Sequence, residues 1–307
     1  MQASHIRIGT RGSPLALAQA REVEARLAAA HGARAPSFEI KIFKTSGDRI
    51  QDRLLSEAGG KGLFTKELEE ALIAGEIDIA VHSMKDMPTV LPEGLAIRAI
   101  LPREDVRDAF ISRAAASLME LAPGAVVATA SLRRQAQVRH LRSDLKVTGL
   151  RGNVETRLRK LEEGVADATL LACAGLNRLG LASRITSIIA TDEMLPACAQ
   201  GAVGVEMREG DAEVGMLIAA INHQPSALAV EIERAFLRRL DGSCRTPIAG
   251  LAELGDGEVR FRGMILKPDG SVAHEIDLRT PPHAGVKAAV EAAEELLGRA
   301  GPDFLAG

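Results

Sequence analysis

The sequence predicts an α/β fold of parallel sheets covered by helices on both faces, followed by a smaller α+β module. Three observations point there. Short β-rich runs alternate with amphipathic helical stretches through the first two-thirds of the chain, as they do when crossover helices wrap a sheet. In the last third, strands follow one another directly instead. A length of 307 residues also exceeds what one core comfortably holds, so two or three domains are expected.

In chain order, residues 6–8 read as a strand and 14–29 as a helix that Pro14 is suited to open. Residues 38–44 alternate apolar and polar as a half-buried strand does, 65–74 have helical apolar spacing, and 77–81 form a buried strand. The alternation resumes with a strand over 125–130, a helix over 132–141, a strand over 146–150, a helix over 154–163 and a strand over 168–172. The final part reads as a helix over 227–240, strands over 259–266 and 272–278 around the turn Lys267-Pro268-Asp269-Gly270, and a helix over 286–298. Soft boundaries fall near Pro102 and residues 200 and 221. Residues 46–62, with Gly47, Gly59, Gly60 and Gly62 among charges, read as a surface loop or as a lid over a site.

Composition narrows the function. Hydrophobic residues at 46% and charged ones at 26% are ordinary for a globular protein. Apolar runs such as 77–81 and 168–172 are far shorter than a membrane span. The first residues lack a basic segment followed by an apolar one, so the cytoplasm is the expected location. A net charge of −3 gives no global pull toward nucleic acid or anionic lipid. Seven Phe without Trp or Tyr offer little stacking surface for single-stranded nucleic acid, so a small-molecule partner is expected. The cysteines Cys173, Cys198 and Cys244 form no C-x-x-C pair, and the histidines no H-x-x-x-H pair; no metal is expected.

Three segments share one design. In Gly9-Thr10-Arg11-Gly12-Ser13-Pro14 a strand runs through a glycine-bearing turn into a helix that Ser13 can cap. Ser131 stands before Leu132-Arg133-Arg134 in the same way, and Asn153 lies between Arg151 and Arg157. A helix start already presents unpaired N–H groups and positive partial charge, so arginine there is unfavourable unless an anion meets it. Residues 131–160 hold nine Lys or Arg against Asp144 and Glu155, a segment near +7 in a net-acidic chain. Such a run is either a solvated face or a basin for several carboxylates or phosphates, and the planar fork of arginine suits the second.

Asp86 follows Lys85 just past a strand, an arrangement open to acid–base or ion-stabilising chemistry and equally to a loop ion pair. Cys173 continues an apolar strand and reads as core, Cys198 is ambiguous, and Cys244 in the polar turn Gly242-Ser243-Cys244-Arg245 is placed as a nucleophilic thiol would be. His82 and His223 pair with no nucleophile in sequence, which leaves a Cys–His hydrolase unsupported.

These strings resemble the porphobilinogen deaminase (hydroxymethylbilane synthase) family. The resemblance rests on residues 8–17 (Ile-Gly-Thr-Arg-Gly-Ser-Pro-Leu-Ala-Leu), Gly59-Gly60-Lys61-Gly62-Leu63-Phe64, His82-Ser83-Met84-Lys85-Asp86, Ser131-Leu132-Arg133-Arg134-Gln135, Leu150-Arg151-Gly152-Asn153, Gln200-Gly201-Ala202 and Gly242-Ser243-Cys244. They occur in the family's order across roughly residues 6–300; each is modest alone and the set is specific.

The resemblance implies two doubly wound lobes like those of periplasmic binding proteins, residues 1–102 with 200–220 and residues 103–199, with a cleft between them. A third α+β domain, 221–307, would carry the cofactor cysteine. It implies that Cys244 holds a dipyrromethane cofactor through a thioether. Four porphobilinogen molecules, each losing ammonia to give an electrophilic azafulvene, would add to that primer, and water would release the linear tetrapyrrole. Asp86 matches the carboxylate that stabilises cationic pyrrole nitrogens. Lys85, Ser131, Arg133, Arg134 and Arg157 match cofactor-binding positions, Arg11, Ser13, Arg151, Arg157 and Arg178 match substrate-binding ones, and Lys61 and Phe64 lie in the lid. A monomer without membrane or nucleic-acid partners is the family expectation. Ala130 departs from the pattern where relatives carry a hydroxyl, and Cys198-Ala199 replaces a pair that often includes glycine. A non-catalytic anion-binding protein of two lobes, and a nucleic-acid binder using 131–160, are the competing readings. The first leaves Cys244 and the third domain unexplained, and the second is opposed by the shortage of aromatic residues.

Overall fold

The computed structural model describes residues 5–49, 64–242, 246–301 and 304. Lys61, Cys244 and most of the expected lid therefore lie outside the described residues. The backbone forms two compact units, Met1–Glu104 with Gly201–Ala227 and Asp105–Gln200 with Leu228–Gly307.

The first unit opens with β1 (His5–Arg11), α1 (Pro14–His31), β2 (Ser37–Phe43), the short α2 (Ser46–Arg49), α3 (Lys66–Ile73), β3 (Ile79–Ser83) and β4 (Leu95–Ile100). The second carries β5 (Asp108–Ser112), β6 (Val126–Ala128), α4 (Leu132–Leu141), β7 (Lys146–Thr148), α5 (Val154–Glu162), β8 (Ala168–Ala172), α6 (Cys173–Arg178) and β9 (Ser187–Ile189). The chain returns to the first unit for β10 (Val203–Arg208) and α7 (Ala212–Ala219). It ends in α8 (Gln224–Arg239), β11 (Ile248–Gly255), β12 (Glu258–Leu266), β13 (Ala273–Thr280) and α9 (Gly285–Ala300).

Three sheets result, ordered β2-β1-β3-β10-β4, β7-β6-β8-β5-β9 and β11-β12-β13. The expectation of parallel sheets needs correction. Strand β10 runs antiparallel to β3 and β4, and β5 antiparallel to β8 and β9. Both are strands at which the chain enters a unit from the other one, so neither arrives through the helical crossover that makes its neighbours parallel.

Alternation along the strands feeds a core on each face of each sheet. In the first unit Ile8, Ile79 and Val81 pack with Val23 and Leu27 of α1 and Leu217 of α7, whereas Ala80 faces Leu68 and Leu72 of α3. In the second, Phe110 and Leu170 pack with Val138 of α4, and Ile111 and Leu171 with Leu158 of α5 and Leu176 of α6. Each sheet is thus wrapped on both sides. The third sheet is antiparallel and is covered by α8 and α9, with the Phe236 and Phe261 rings edge-on at 5.1 Å. Its Lys267–Gly270 turn seats on α4: Arg139 Nη1 donates to the Pro268 carbonyl at 2.8 Å. Gly270 has φ 76°, and a Cβ there would lie 2.7 Å from the His140 nitrogen, so only glycine fits.

Cys173 begins α6 rather than extending β8, because a helix opens directly at the strand's end. It is fully buried, and burial pushes its thiol up to about 12, which makes it inert. Cys198 is buried against Gly250 and Phe236.

Candidate active site

Elements of each unit deliver functional side chains to the carboxyl ends of parallel strands, where such folds place ligands. In the first unit β1 ends at Arg11, and Ser13 caps α1 by accepting the Ala16 N–H at 3.3 Å, with Pro14 at the first helical position. Gly9 has to be small: a Cβ would lie 2.3 Å from Ile77 Cδ1. Strand β3 runs into a single 3₁₀ turn, Met84–Asp86, and Met84 N–H donates to the Ala202 carbonyl at 3.0 Å. Arg11, Ser13, Phe64, Thr65, His82 and Asp86 line one cavity of ≈ 60 Å³. The Arg11 guanidinium stacks 4.2 Å from the Phe64 ring centroid, a cation–π contact that orients it. Lys85 lies in the same turn as Asp86 and is half-buried.

His82, which lines this cavity, belongs to a buried polar group whose other members, Glu206 and Glu69, are distant in sequence. His82 Nε2 pairs with Glu206 Oε2 at 2.8 Å, with side chains 4% and 0% exposed. Glu69 of α3, also buried, has its carboxyl held above the ordinary range of 4.5. Burial is the main cause; the Thr65 hydroxyl and His82 oppose it, while Glu206 adds to it. A charge inside the apolar run Val203-Gly204-Val205-Glu206-Met207 was the available signal.

The raised Glu69 carboxyl makes a prediction. Folded protein holds this proton to higher pH than unfolded chain, so the stability present below the unfolded value is lost as pH rises through the folded one. Glu69→Gln, which cannot ionise, should raise the thermal midpoint at pH 7 by a few degrees and leave it unchanged near pH 4. Equal midpoints for the two proteins at both pH values would remove this assignment.

In the second unit the neighbouring parallel strands β6 and β7 lead to the cation-bearing starts of α4 and α5, while β8 between β6 and β5 leads into α6. Ser131 caps α4 by accepting the Arg134 N–H at 3.4 Å, and Asn153 caps α5 by accepting the Thr156 N–H at 2.8 Å. Arg157 Nε reaches back to the Gly152 carbonyl at 2.7 Å, and Lys160 to the Arg151 carbonyl at 3.1 Å. Gly152 has φ 124°, and a Cβ there would lie 2.6 Å from Thr156 Cγ2. Arg151, Arg157 and Arg178 are half-buried, the last in the final turn of α6.

Arg133 and Arg134 differ from these. They are 4% and 5% exposed, and both pair with Asp108, at 2.8 and 2.6 Å. Asp108 is fully buried at the start of β5, opposite Ala172 at the end of β8. It also receives Gln200 Nε2 at 2.9 Å. Burial is the largest single influence and opposes ionisation, but the two guanidiniums, with the Arg134 and Gln200 hydrogen bonds, together outweigh it and hold the carboxyl far below the usual carboxylate range. Thus one internal anion meets two of the arginines that the sequence left unmatched. Nothing local marks Asp108, which simply ends the charged run 103–108.

The structure therefore brings Arg11, Ser13, Phe64 and Asp86 together in the first unit. In the second it joins Arg133 and Arg134 on Asp108, and sets Ser131 at the start of α4, Arg151 and Arg157 at the start of α5 and Arg178 in the last turn of α6, on the helices that follow the neighbouring strands β6, β7 and β8. Among the described residues no group of three or more His, Cys, Asp or Glu could hold a metal ion, and no helix is long and apolar enough to cross a membrane.

Two family models match the chain. That for porphobilinogen deaminase, dipyrromethane cofactor binding domain, covers residues 6–216, and that for the porphobilinogen deaminase C-terminal domain covers 227–298. A porphobilinogen deaminase of Paracoccus denitrificans is 60% identical over 97% of this chain and 96% of its own length. One of Nitrobacter hamburgensis is 56% identical over 97% and 94%. Among solved structures, the methionine-binding protein MetQ aligns over 71% of this chain and 90% of its own at 18% identity and a TM-score of 0.45, too distant to add to the assignment. The two family matches and the near-full-length identity place this chain in the porphobilinogen deaminase family.

Proposed function

We infer that this chain catalyses hydroxymethylbilane synthesis, joining four porphobilinogen molecules head to tail with loss of ammonia and releasing a linear tetrapyrrole. The observation that carries the reading is 60% identity to a porphobilinogen deaminase over 97% of the chain. Residues 6–216 match a dipyrromethane cofactor binding domain. We assign the covalent anchor to Cys244, through a thioether.

The residues present suit that cofactor. Each pyrrole carries two carboxylate arms, and the helices that follow β6 and β7 offer guanidiniums at their starts, where the backbone adds positive partial charge. The buried Arg133 Nε is without an acceptor among the described residues, as expected where an anion is to be met. When bound, the cofactor supplies the nucleophilic pyrrole carbon to which substrate is joined.

The side chains divide the remaining work. Arg11 and Ser13, with Arg151, Arg157 and Arg178, bind and orient substrate carboxylates; Lys85, Ser131, Arg133 and Arg157 hold those of the cofactor, and Arg134, tied to Asp108, supports that helix start from beneath. Asp86, half-buried in the cavity with Arg11, places negative charge where a pyrrole becomes cationic as ammonia departs. This is oxyanion-hole stabilisation with the sign reversed. Phe64, stacked on Arg11, limits that cavity, and Lys61 is assigned to the covering segment. The reading includes three working modules, 1–102 with 200–220, 103–199 and 221–307, in a cytoplasmic monomer without nucleic-acid or membrane partners.

Intact mass of the denatured chain tests the proposal. The purified protein should carry the added mass of a dipyrromethane, and Cys244→Ser should show the bare polypeptide. An unmodified wild-type chain, or a Cys244→Ser chain that keeps the added mass, would reject the anchor.

A further inference from the structure

The ion cluster at the start of α4 is uneven in a way that assigns its members different work. Asp108 Oδ1 accepts Arg134 Nη2 at 2.6 Å, Arg134 Nε at 3.1 Å and Gln200 Nε2 at 2.9 Å. The remaining Arg134 terminal nitrogen donates to the Leu170 carbonyl at 3.1 Å, so this guanidinium is tied to β5 and β8 together. Arg133 is held more loosely. Its Nη1 donates to the Leu195 carbonyl at 2.8 Å, and its Nη2 stands 2.8 Å from Asp108 Oδ2 without a well-aligned hydrogen bond. Its Nε, also buried, has no acceptor among the described residues.

The charges do not cancel. Two guanidiniums face one carboxylate, and the first turn of α4, ten residues long and without an acid in that turn, adds positive partial charge. Water cannot screen the surplus, since all three side chains are 5% exposed or less. Burial works against the charged form of Arg133 and is the largest influence on it; Asp108 opposes that loss. A buried cation with a vacant donor is costly alone and is relieved by one anion.

We propose that Asp108 is a positioning residue for the cofactor: it fixes Arg134 as a strut and leaves Arg133 with one uncompensated charge, so that the start of α4 balances one carboxylate arm of the bound dipyrromethane rather than two. The proposal rests on the function inferred above. Asp108 acts through the arginines and need not touch the cofactor. The same arrangement makes the charge count, rather than the mere presence of arginine, the quantity that governs retention.

Charge compensation gives the test. Intact mass and thermal midpoint are measured on the full chain for wild type, Asp108→Asn and Asp108→Asn/Arg134→Gln. The single variant raises the buried surplus from one charge to two, and its cofactor-bearing fraction should fall at least about tenfold, with a lower midpoint, because removing one partner of a buried ion pair leaves a charge unmet. The double variant restores a surplus of one and should recover both loading and midpoint relative to Asp108→Asn. A purely packing role would make the double variant worse than the single. Wild-type loading and midpoint in Asp108→Asn, or a double variant no better than the single, would overturn the proposal. Should Asp108→Asn fail to accumulate, the double variant decides: folded, loaded protein supports the charge balance and its absence refutes it. A bare wild-type chain would instead reject the function on which the proposal depends.

Discussion

Asp86→Ala should lower kcat by about 10²–10³-fold, the usual cost of removing a preorganised group that meets developing charge. The thermal midpoint should stay close to that of wild type. Asp86 closes the Met84–Asp86 turn at the end of β3, and the turn is held by backbone bonds from Met84 N–H to the Ala202 carbonyl and from Met87 N–H to the Met84 carbonyl. Neither needs the carboxylate. The side chain is half-buried, so its loss strands no large buried surface. Asp86→Asn separates charge from shape, and its loss of turnover should approach that of the alanine variant. Single-turnover rates with porphobilinogen check this. An Asn variant within about fivefold of wild type would mean that hydrogen bonding rather than charge carries the rate.

Glu233→Ala should cost stability on a comparable scale, about 3–5 kcal/mol, from buried donors left unsatisfied and a cavity left unfilled. Glu233, on α8, is fully buried, and its two oxygens accept the Ala199 N–H at 2.5 Å and the Ala252 N–H at 2.8 Å. It therefore ties the segment before Gln200 to both α8 and β11. Ala199 has φ 60°, a left-handed conformation that costs a residue with a Cβ roughly 1–2 kcal/mol. The family resemblance leads to an expectation of glycine at this pair; here the Ala199 N–H is held by the Glu233 carboxylate. Since Gln200 donates to Asp108, loosening the segment should also reduce cofactor loading. Glu233→Gln keeps the volume but turns an NH₂ toward a donor, and should lose roughly half as much. Denaturant titration monitored by circular dichroism measures both variants. A change below about 1 kcal/mol for the alanine variant would show that the two backbone donors find other acceptors.

How far the sequence was legible depends on the element. Helix α4 and strand β8 match the expected ranges 132–141 and 168–172 because strong periodicity and clear boundary residues coincide there. Ser13, Ser131 and Asn153 cap α1, α4 and α5 as expected, since capping uses only groups within three residues. Strands β4, β5, β9, β10 and β11 have no counterpart among the expected ranges. Strand β5 follows directly on the charged run 103–107, and β10 carries Glu206 in its middle, so neither shows a clean apolar alternation.

The candidate site divides in the same way. Arg11, Asp86, Ser131, Arg133, Arg134, Arg151 and Arg157 stand in local strings whose residue types and spacing already suggest anions and a compensating carboxylate. Their partners are distant in sequence: Asp108 lies 26 residues from Arg134, and Glu206 124 residues from His82. No local pattern encodes those pairings.

By itself, then, the sequence determined the alternation of strands and helices, the helix starts and the stock of cations placed at them, because each follows from interactions within one or two turns of chain. The tertiary structure alone decided strand direction, the burial of Arg133 and Arg134 on Asp108, and the His82–Glu206–Glu69 group at the Asp86 cavity. These depend on which segments meet as the chain passes three times between units, and the low dielectric created by that meeting sets the charge each group can keep.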